Sequence, residues 1–177
     1  EYGPAEVEEY YYCTYNKLIT LKGAPKKVKK FICHHNFLKT LEYGPTEVEN
    51  EFNCSYNELI SLKGAPRKVK KFYCNNNFLK TLEYGPTEVV NEYWCNNNEL
   101  ISLKGAPRIV KEFYCQNNKL KTLEYGPIET ELIYVCDNNK LISLKGAPRK
   151  VKIFYCQNNF LKTLEYGPTE VEDYYWC

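Results

Sequence analysis

Nine cysteines carry whatever reactive chemistry this chain has: Cys13, Cys33, Cys54, Cys74, Cys95, Cys115, Cys136, Cys156 and Cys177. A thiolate can ligate a metal, attack an electrophile or pair with a second cysteine. Thiol and imidazole meet in sequence at Cys33-His34-His35. On a strand, however, neighbours point to opposite faces, so Cys33 and His34 diverge. No second cluster completes a site, and no metal is assigned. Disulfides between stacked neighbours would leave one of the nine unpaired. Strand spacing also slightly exceeds the preferred Cβ separation of about 3.8 Å. Reduced thiols filling a core slot are the favoured reading, with disulfides and metal as the alternatives. Nothing else has the layout of a catalytic site. There is no Gly-rich phosphate loop, no nucleophile with a plausible base, and no acid pair outside an alternating charge pattern. Two histidines in one segment cannot supply a distributed active site, so no catalytic residue and no cofactor is assigned.

The spacing of the cysteines alternates between 20 and 21 residues to the end of the chain. They share one frame: Val, two or three residues, an aromatic, one residue, Cys, two residues, Asn, one residue, Leu. Val69, Phe72, Cys74, Asn77 and Leu79 are one instance. Phe72 and Cys74 alternate with Tyr73, the period of a strand with one buried face. The chain is therefore a stack of short coils, each touching only its neighbours. The true unit is a 41-residue pair of halves A and B. Half B has one extra residue between its Val and aromatic slots, read as a bulge or a widened loop where the strand begins. Each return segment contains a Gly-Pro or Gly-Ala-Pro turn, and Pro excludes a helix there. The expectation is strand, Asn loop, extended or one-turn return, then a parallel strand. At roughly 4.8 Å per strand, nine coils span on the order of 40 Å.

Stacking converts each slot into a column. The asparagine column is Asn16, Asn36, Asn57, Asn77, Asn98, Asn118, Asn139 and Asn159. A buried carboxamide both donates and accepts, so it can satisfy backbone groups of adjacent coils where the strand ends. The cysteine column, from Cys33, Cys54, Cys74, Cys95, Cys115 and Cys136 to Cys156, is read as structural in the same way. A charge column, Lys22, Glu42, Lys63, Glu83, Lys104, Glu124, Lys145 and Glu165, sets opposite charges in neighbouring coils. Its favoured role is register: a slip by one coil opposes like charges. The outward strand slots carry recognition candidates. They are Tyr73, Trp94, Tyr114 and Tyr155 before the cysteines, and Lys71, Glu92, Ile133 and Ile153 two residues earlier. Val135 joins Ile133 and Ile153 in an apolar patch expected to be exposed. Aromatics among amides and charges suit a protein-binding surface, and they also suit cross-strand stacking without any partner.

The frame Val28, Phe31, Cys33, Asn36, Leu38 resembles the leucine-rich-repeat signature, with Val, Phe and Cys where leucine is usual. The later Leu41, Gly44, Pro45 and Val48 are similar to the short return segments of bacterial and phage leucine-rich repeats. The resemblance covers the whole chain. It implies a right-handed superhelical β-solenoid with one parallel sheet and largely non-helical return segments. It also implies a curved shape that binds partners on its concave sheet. Residues 1–177 read as a single solenoid of nine coils: four pairs plus a partial coil.

Net charge is +2, near neutral, so bulk charge points to no nucleic-acid or membrane partner. No apolar run reaches membrane-spanning length and no signal peptide opens the chain. Residues 1–13 repeat residues 165–177 in phase, neither end has a polar cap, and there is no Met. The chain thus reads as a window from a longer array. Nine thiols without obvious pairing favour a reducing compartment weakly; a virion or cell surface stays open. The expected function is non-enzymatic protein recognition through the sheet. The alternatives are a self-associating component of a fibre, appendage or virion, and the targeting part of a larger enzyme.

Overall fold

A computed structural model describes residues 3–177. Nine strands follow one another in the chain and in space: β1 (Tyr10–Tyr12), β2 (Lys27–Ile32), β3 (Glu47–Asn53), β4 (Lys68–Tyr73), β5 (Glu88–Trp94), β6 (Ile109–Tyr114), β7 (Glu129–Val135), β8 (Lys150–Tyr155) and β9 (Glu170–Trp176). All adjacent pairs are parallel, in one sheet of unbroken order. The protein is a β-solenoid of about eight turns, and no helix occurs among the described residues.

The A strands from β2 onward have six residues and the B strands from β3 onward have seven. The extra residue appears as a register shift wherever an A strand meets the following B strand, for example between Val69 and Lys71 against β5. Val69 pairs with Val89, the shift follows, and Phe72 then pairs with Tyr93. The bulge therefore lets Val and aromatic columns run straight despite the unequal halves.

The interior is built from those columns. Val69, Phe72, Cys74, Leu79 and Leu82 are buried in one coil; Val89, Tyr93, Cys95, Leu100 and Leu103 repeat them in the next. The aromatic column from Tyr11 to Tyr175 keeps ring centroids 5.2–5.7 Å apart. That spacing is within the range of favourable aromatic pairs. In the B coils, apart from that of Phe52, Tyr replaces Phe in this column. The Tyr93 and Tyr134 hydroxyls are fully buried and find no hydrogen-bond partner among the described residues. Thr130 fills a Val slot at 2% exposure, and its hydroxyl finds no partner among the described residues.

Seven cysteines are free thiols, and six of these are fully buried. Burial disfavours the thiolate and so raises the pKa; the half-buried Cys13 thiol is raised to about 11. The same cause acts, more strongly, on Cys33, Cys54, Cys74, Cys95, Cys115 and Cys136. Cys156 and Cys177 differ: they are joined as a disulfide, with Cα atoms 4.5 Å apart. The expectation of reduced thiols throughout is corrected at this pair. Parallel stacking holds neighbouring cysteines at a Cα separation that a disulfide can span.

Every asparagine in its column from Asn36 to Asn159 performs one job. The Asn77 Nδ2 donates to the Cys54 carbonyl of the preceding coil and to the Cys74 carbonyl of its own, both at 3.1 Å. Its Oδ1 accepts from the Leu59 N–H at 2.9 Å. Asn36, Asn57, Asn98, Asn118, Asn139 and Asn159 repeat the set. Each side chain therefore ties its coil to the one before. Asn16 is exposed and donates only to the Thr14 carbonyl, so the column begins at Asn36.

Candidate functional site

The outward face of the sheet is the candidate surface. Alternation along each strand turns Glu92 and Trp94 of β5, and Glu112 and Tyr114 of β6, away from the core. Tyr73, Trp94 and Tyr114 form a continuous aromatic row. Tyr73 meets Trp94 edge-on at 5.4 Å, and Trp94 meets Tyr114 at 4.9 Å with rings tilted. The row is half-buried by its own neighbours. Tyr155 lies further along the same face, 6.3 Å from Trp176.

Charged side chains run beside this row. Lys30 pairs with Glu51 at 3.6 Å and Lys71 with Glu92 at 2.6 Å. The Glu92 carboxylate also accepts a hydrogen bond from the Tyr73 hydroxyl at 2.7 Å. The bond between Lys71 and Glu92 raises the Lys71 pKa. The Tyr73 and Tyr114 phenols are pushed well up, first by burial and then by the carboxylates that accept their hydrogen bonds. The alternation then fails. Glu92 stands in direct register with Glu112, and Glu112 with Ile133. Glu112 accepts from the Tyr114 hydroxyl at 2.8 Å but has no cation against it among the described residues. Like charges directly opposite one another destabilise a sheet.

Polar groups around this point are also left unpaired. The Trp94 Nε1, Asn96 Oδ1 and Gln116 Oε1 atoms are buried and find no hydrogen-bond partner among the described residues. Asn96 is 8% exposed although its slot faces outward. Ser55 and Asn75 are buried in the same way.

The apolar patch expected at Ile133, Val135 and Ile153 is less open than its sequence suggests. Val135 is 9% exposed, and Ile133 and Ile153 are half-buried. The register explains this: Ile133 lies against Ile153, and Val135 against Tyr155 and Tyr114. Cross-strand neighbours take up the surface that each would otherwise present to water.

The histidines stack. His35 lies between the Tyr15 and Tyr56 rings, 4.4 Å from each. His34 and His35 bring their Nδ1 atoms to 2.8 Å, while Cys33 is fully buried on the other side. Burial, and then His35, lowers the His34 pKa. The position of His35 is left-handed (φ 54), as are the matching Asn76, Asn97, Asn117, Asn138 and Asn158. Asparagine tolerates that region better than most residues, which accounts for the repeated Asn-Asn pairs.

The charge column forms, in one phase. Glu42 pairs with Lys63, Glu83 with Lys104 and Glu124 with Lys145, each at 2.8 Å. Each glutamate thus reaches the lysine of the following coil. At the strand starts the phase is opposite: Lys68 reaches Glu88 at 3.1 Å and Lys150 reaches Glu170 at 3.7 Å. Successive coils are therefore tied by ion pairs, and at the strands both kinds of step are bridged, as by Lys70–Glu49 at 3.4 Å and Lys68–Glu88.

These features define a tandem-repeat β-solenoid with ~20-residue turns. No protein-family model, curated protein or solved structure matches the chain.

Proposed function

We propose that this protein is a non-enzymatic recognition module of leucine-rich-repeat type, which binds a protein partner through the outward face of its sheet. The contact centres on Trp94, with Tyr73, Tyr114, Glu92 and Glu112 around it. The observation that carries the reading is the break in charge alternation at Glu112. Lys30–Glu51 and Lys71–Glu92 are compensated; Glu92 beside Glu112 is not. A position that costs stability in the free chain is accounted for by a partner that supplies a Lys or Arg there. The exposed edges of Tyr73, Trp94 and Tyr114 suit the same contact, since aromatics dominate binding energy at protein interfaces. A partner that draws the Trp94, Asn96 and Gln116 groups to its own polar atoms also recovers the cost of leaving them unpaired.

The leucine-rich-repeat kinship rests on the asparagine column, whose carboxamides bridge successive coils in place of sheet hydrogen bonds. A second reading, a self-associating structural array, is favoured by the near-identity of the coils. A third makes the solenoid the targeting portion of a larger enzyme.

Glu112→Lys tests the first reading. It restores the alternation and is expected to hold or raise stability, by about 0.2–1 kcal/mol for a cross-strand ion pair. It should nevertheless abolish capture of the partner that the parent protein retrieves from its own cell extract. Trp94→Ala should do the same with folding intact by circular dichroism. Retention of the same partner by both variants would overturn the proposal. Light scattering that finds ordered multimers of the purified chain would favour the structural array.

A further inference from the structure

A second surface lies along the edge where the chain leaves the strands. After each column asparagine the chain runs outward residue, inward leucine, outward residue. In the A coils these are Phe37 and Lys39, Phe78 and Lys80, Lys119 and Lys121, and Phe160 and Lys162. In the B coils they are Lys17 and Ile19, Glu58 and Ile60, Glu99 and Ile101, and Lys140 and Ile142. Backbone hydrogen bonds align them along the solenoid axis. Phe37 N–H donates to the Leu18 carbonyl, Ile60 N–H to Lys39, Phe78 N–H to Leu59 and Ile101 N–H to Lys80, at 2.9–3.2 Å. The same bonds continue through Ile142 to Phe160.

The apolar members of this ridge are open to solvent. Ile19, Ile60, Ile101 and Ile142 are 59–76% exposed, and Phe37, Phe78 and Phe160 are 46–65% exposed. Seven lysines stand among them against two glutamates, Glu58 and Glu99. Of those lysines only Lys119 has an ion-pair partner among the described residues, Glu99 at 3.3 Å. Elsewhere on the solenoid many lysines are paired with glutamates of adjacent coils. A chain close to neutral overall thus concentrates uncompensated positive charge on one edge, interleaved with protruding Ile and Phe.

Charge and shape together select the occupant. A second copy would bring lysine against lysine. A docked peptide needs recesses for its side chains, but the ridge residues protrude. The two open grooves lie instead along the strand starts, lined by residues such as Val48, Val69, Val90 and Ile128. A flat anionic interface needs no register and no recess. It accepts apolar tips and places its phosphates within reach of the lysines.

We propose that this ridge is a peripheral contact for an anionic lipid surface. Ile19, Ile60, Ile101, Ile142 and the ridge phenylalanines enter the headgroup region, while Lys39, Lys80, Lys121 and Lys162 lie against headgroup phosphates. The sheet face stays free, so the ridge acts independently of partner recognition.

The test is flotation of the purified chain with phosphatidylcholine vesicles. One set contains about 30% phosphatidylserine, to give the negative surface of a cytoplasmic leaflet, and the other contains none. Parent protein should float with the anionic vesicles and not with the neutral ones. The triple variant Lys39→Glu, Lys80→Glu, Lys121→Glu should lose at least about tenfold in partitioning, since each lysine near such a surface contributes measurably. Ile60→Ser with Ile101→Ser, at unchanged charge, should lose roughly fivefold or more if their side chains enter the lipid. All substituted positions are on the surface of the ridge, and melting curves confirm folding. Glu112→Lys should float as the parent does, which separates this proposal from the recognition face. Absence of flotation on anionic vesicles overturns it. So does flotation unchanged by the serine pair, or capture of an acidic amphipathic peptide without any binding to vesicles.

Discussion

Removal of one column asparagine is the most direct test of the fold. In Asn77→Ala three carbonyls and one N–H lose a partner. Their losses are unequal. The Cys54 carbonyl still accepts from Asn57 at 3.2 Å, and the Cys74 carbonyl from Asn98 at 3.0 Å. The Asn75 carbonyl still accepts from the Tyr56 N–H at 3.1 Å. Only the Leu59 N–H is stripped of the side-chain partner it had, inside a coil whose Leu59 is fully buried. One orphaned buried donor costs about 1–3 kcal/mol, and the lost bonds to carbonyls that keep another donor add less. The expected penalty is therefore roughly 2–4 kcal/mol. Asn77→Asp should cost more near neutral pH, because a carboxylate accepts from Leu59 but repels the two cysteine carbonyls. That carboxyl would titrate above the ordinary range in the folded chain. Part of the loss would thus return on acidification, since the folded state then binds the proton more tightly than the unfolded one. Urea unfolding followed by circular dichroism gives the free energy, and the slope reports whether the coil of Asn77 has uncoupled the array. Lys80→Ala, at an exposed position, is the control and should stay within about 0.5 kcal/mol of the parent. An Asn77→Ala protein as stable as this control would refute the accounting.

The thiol column predicts alkaline sensitivity. The six buried thiols have pKa values raised by burial above the unfolded thiol range. Their contribution is complete below the unfolded pKa and falls as pH rises through and beyond it, by up to ~1.4 kcal/mol per thiol per pH unit. Urea midpoints should drop steeply above about pH 9, and a flat profile would contradict burial of the column. In native protein a thiol reagent should reach Cys13 first, and the six buried thiols only on unfolding; rapid native labelling of Cys74 or Cys95 would contradict it. Gly105→Ala should destabilise by roughly 1–3 kcal/mol, measured by the same melt. Gly105 has φ +97, and a Cβ there would lie 2.2 Å from the Leu82 carbonyl oxygen. An unchanged melting curve would show that this turn relaxes freely.

The sequence alone determined the coil period, the parallel strand in each coil and which strand residues face the core. A period of 20 and 21 residues leaves no room for a helix, and a Pro in each return excludes one. With one register available to a stack, Val, aromatic, Cys and Asn slots each become columns. The bulge in half B was legible for the same reason, since one extra residue between two core slots must be absorbed. Tertiary structure decided what depends on distance between side chains rather than on order. It set the phase in which Glu83 reaches Lys104. It covered Asn96, Ser55 and Val135 through neighbours that no strand sees in isolation, and it brought Cys156 to Cys177. The adjacency of Glu92 and Glu112 was written in the slots, but its consequence required the register that leaves Glu112 without a cation. The ridge of Ile and Lys is hidden in the sequence because its residues alternate between two slots and form no single column. Only the backbone bonds that align Phe37 with Leu18 and Ile60 with Lys39 make it continuous. Pattern specifies burial when one face must exclude water; charge pairing and surface continuity depend on which long side chains meet, and that is fixed in three dimensions.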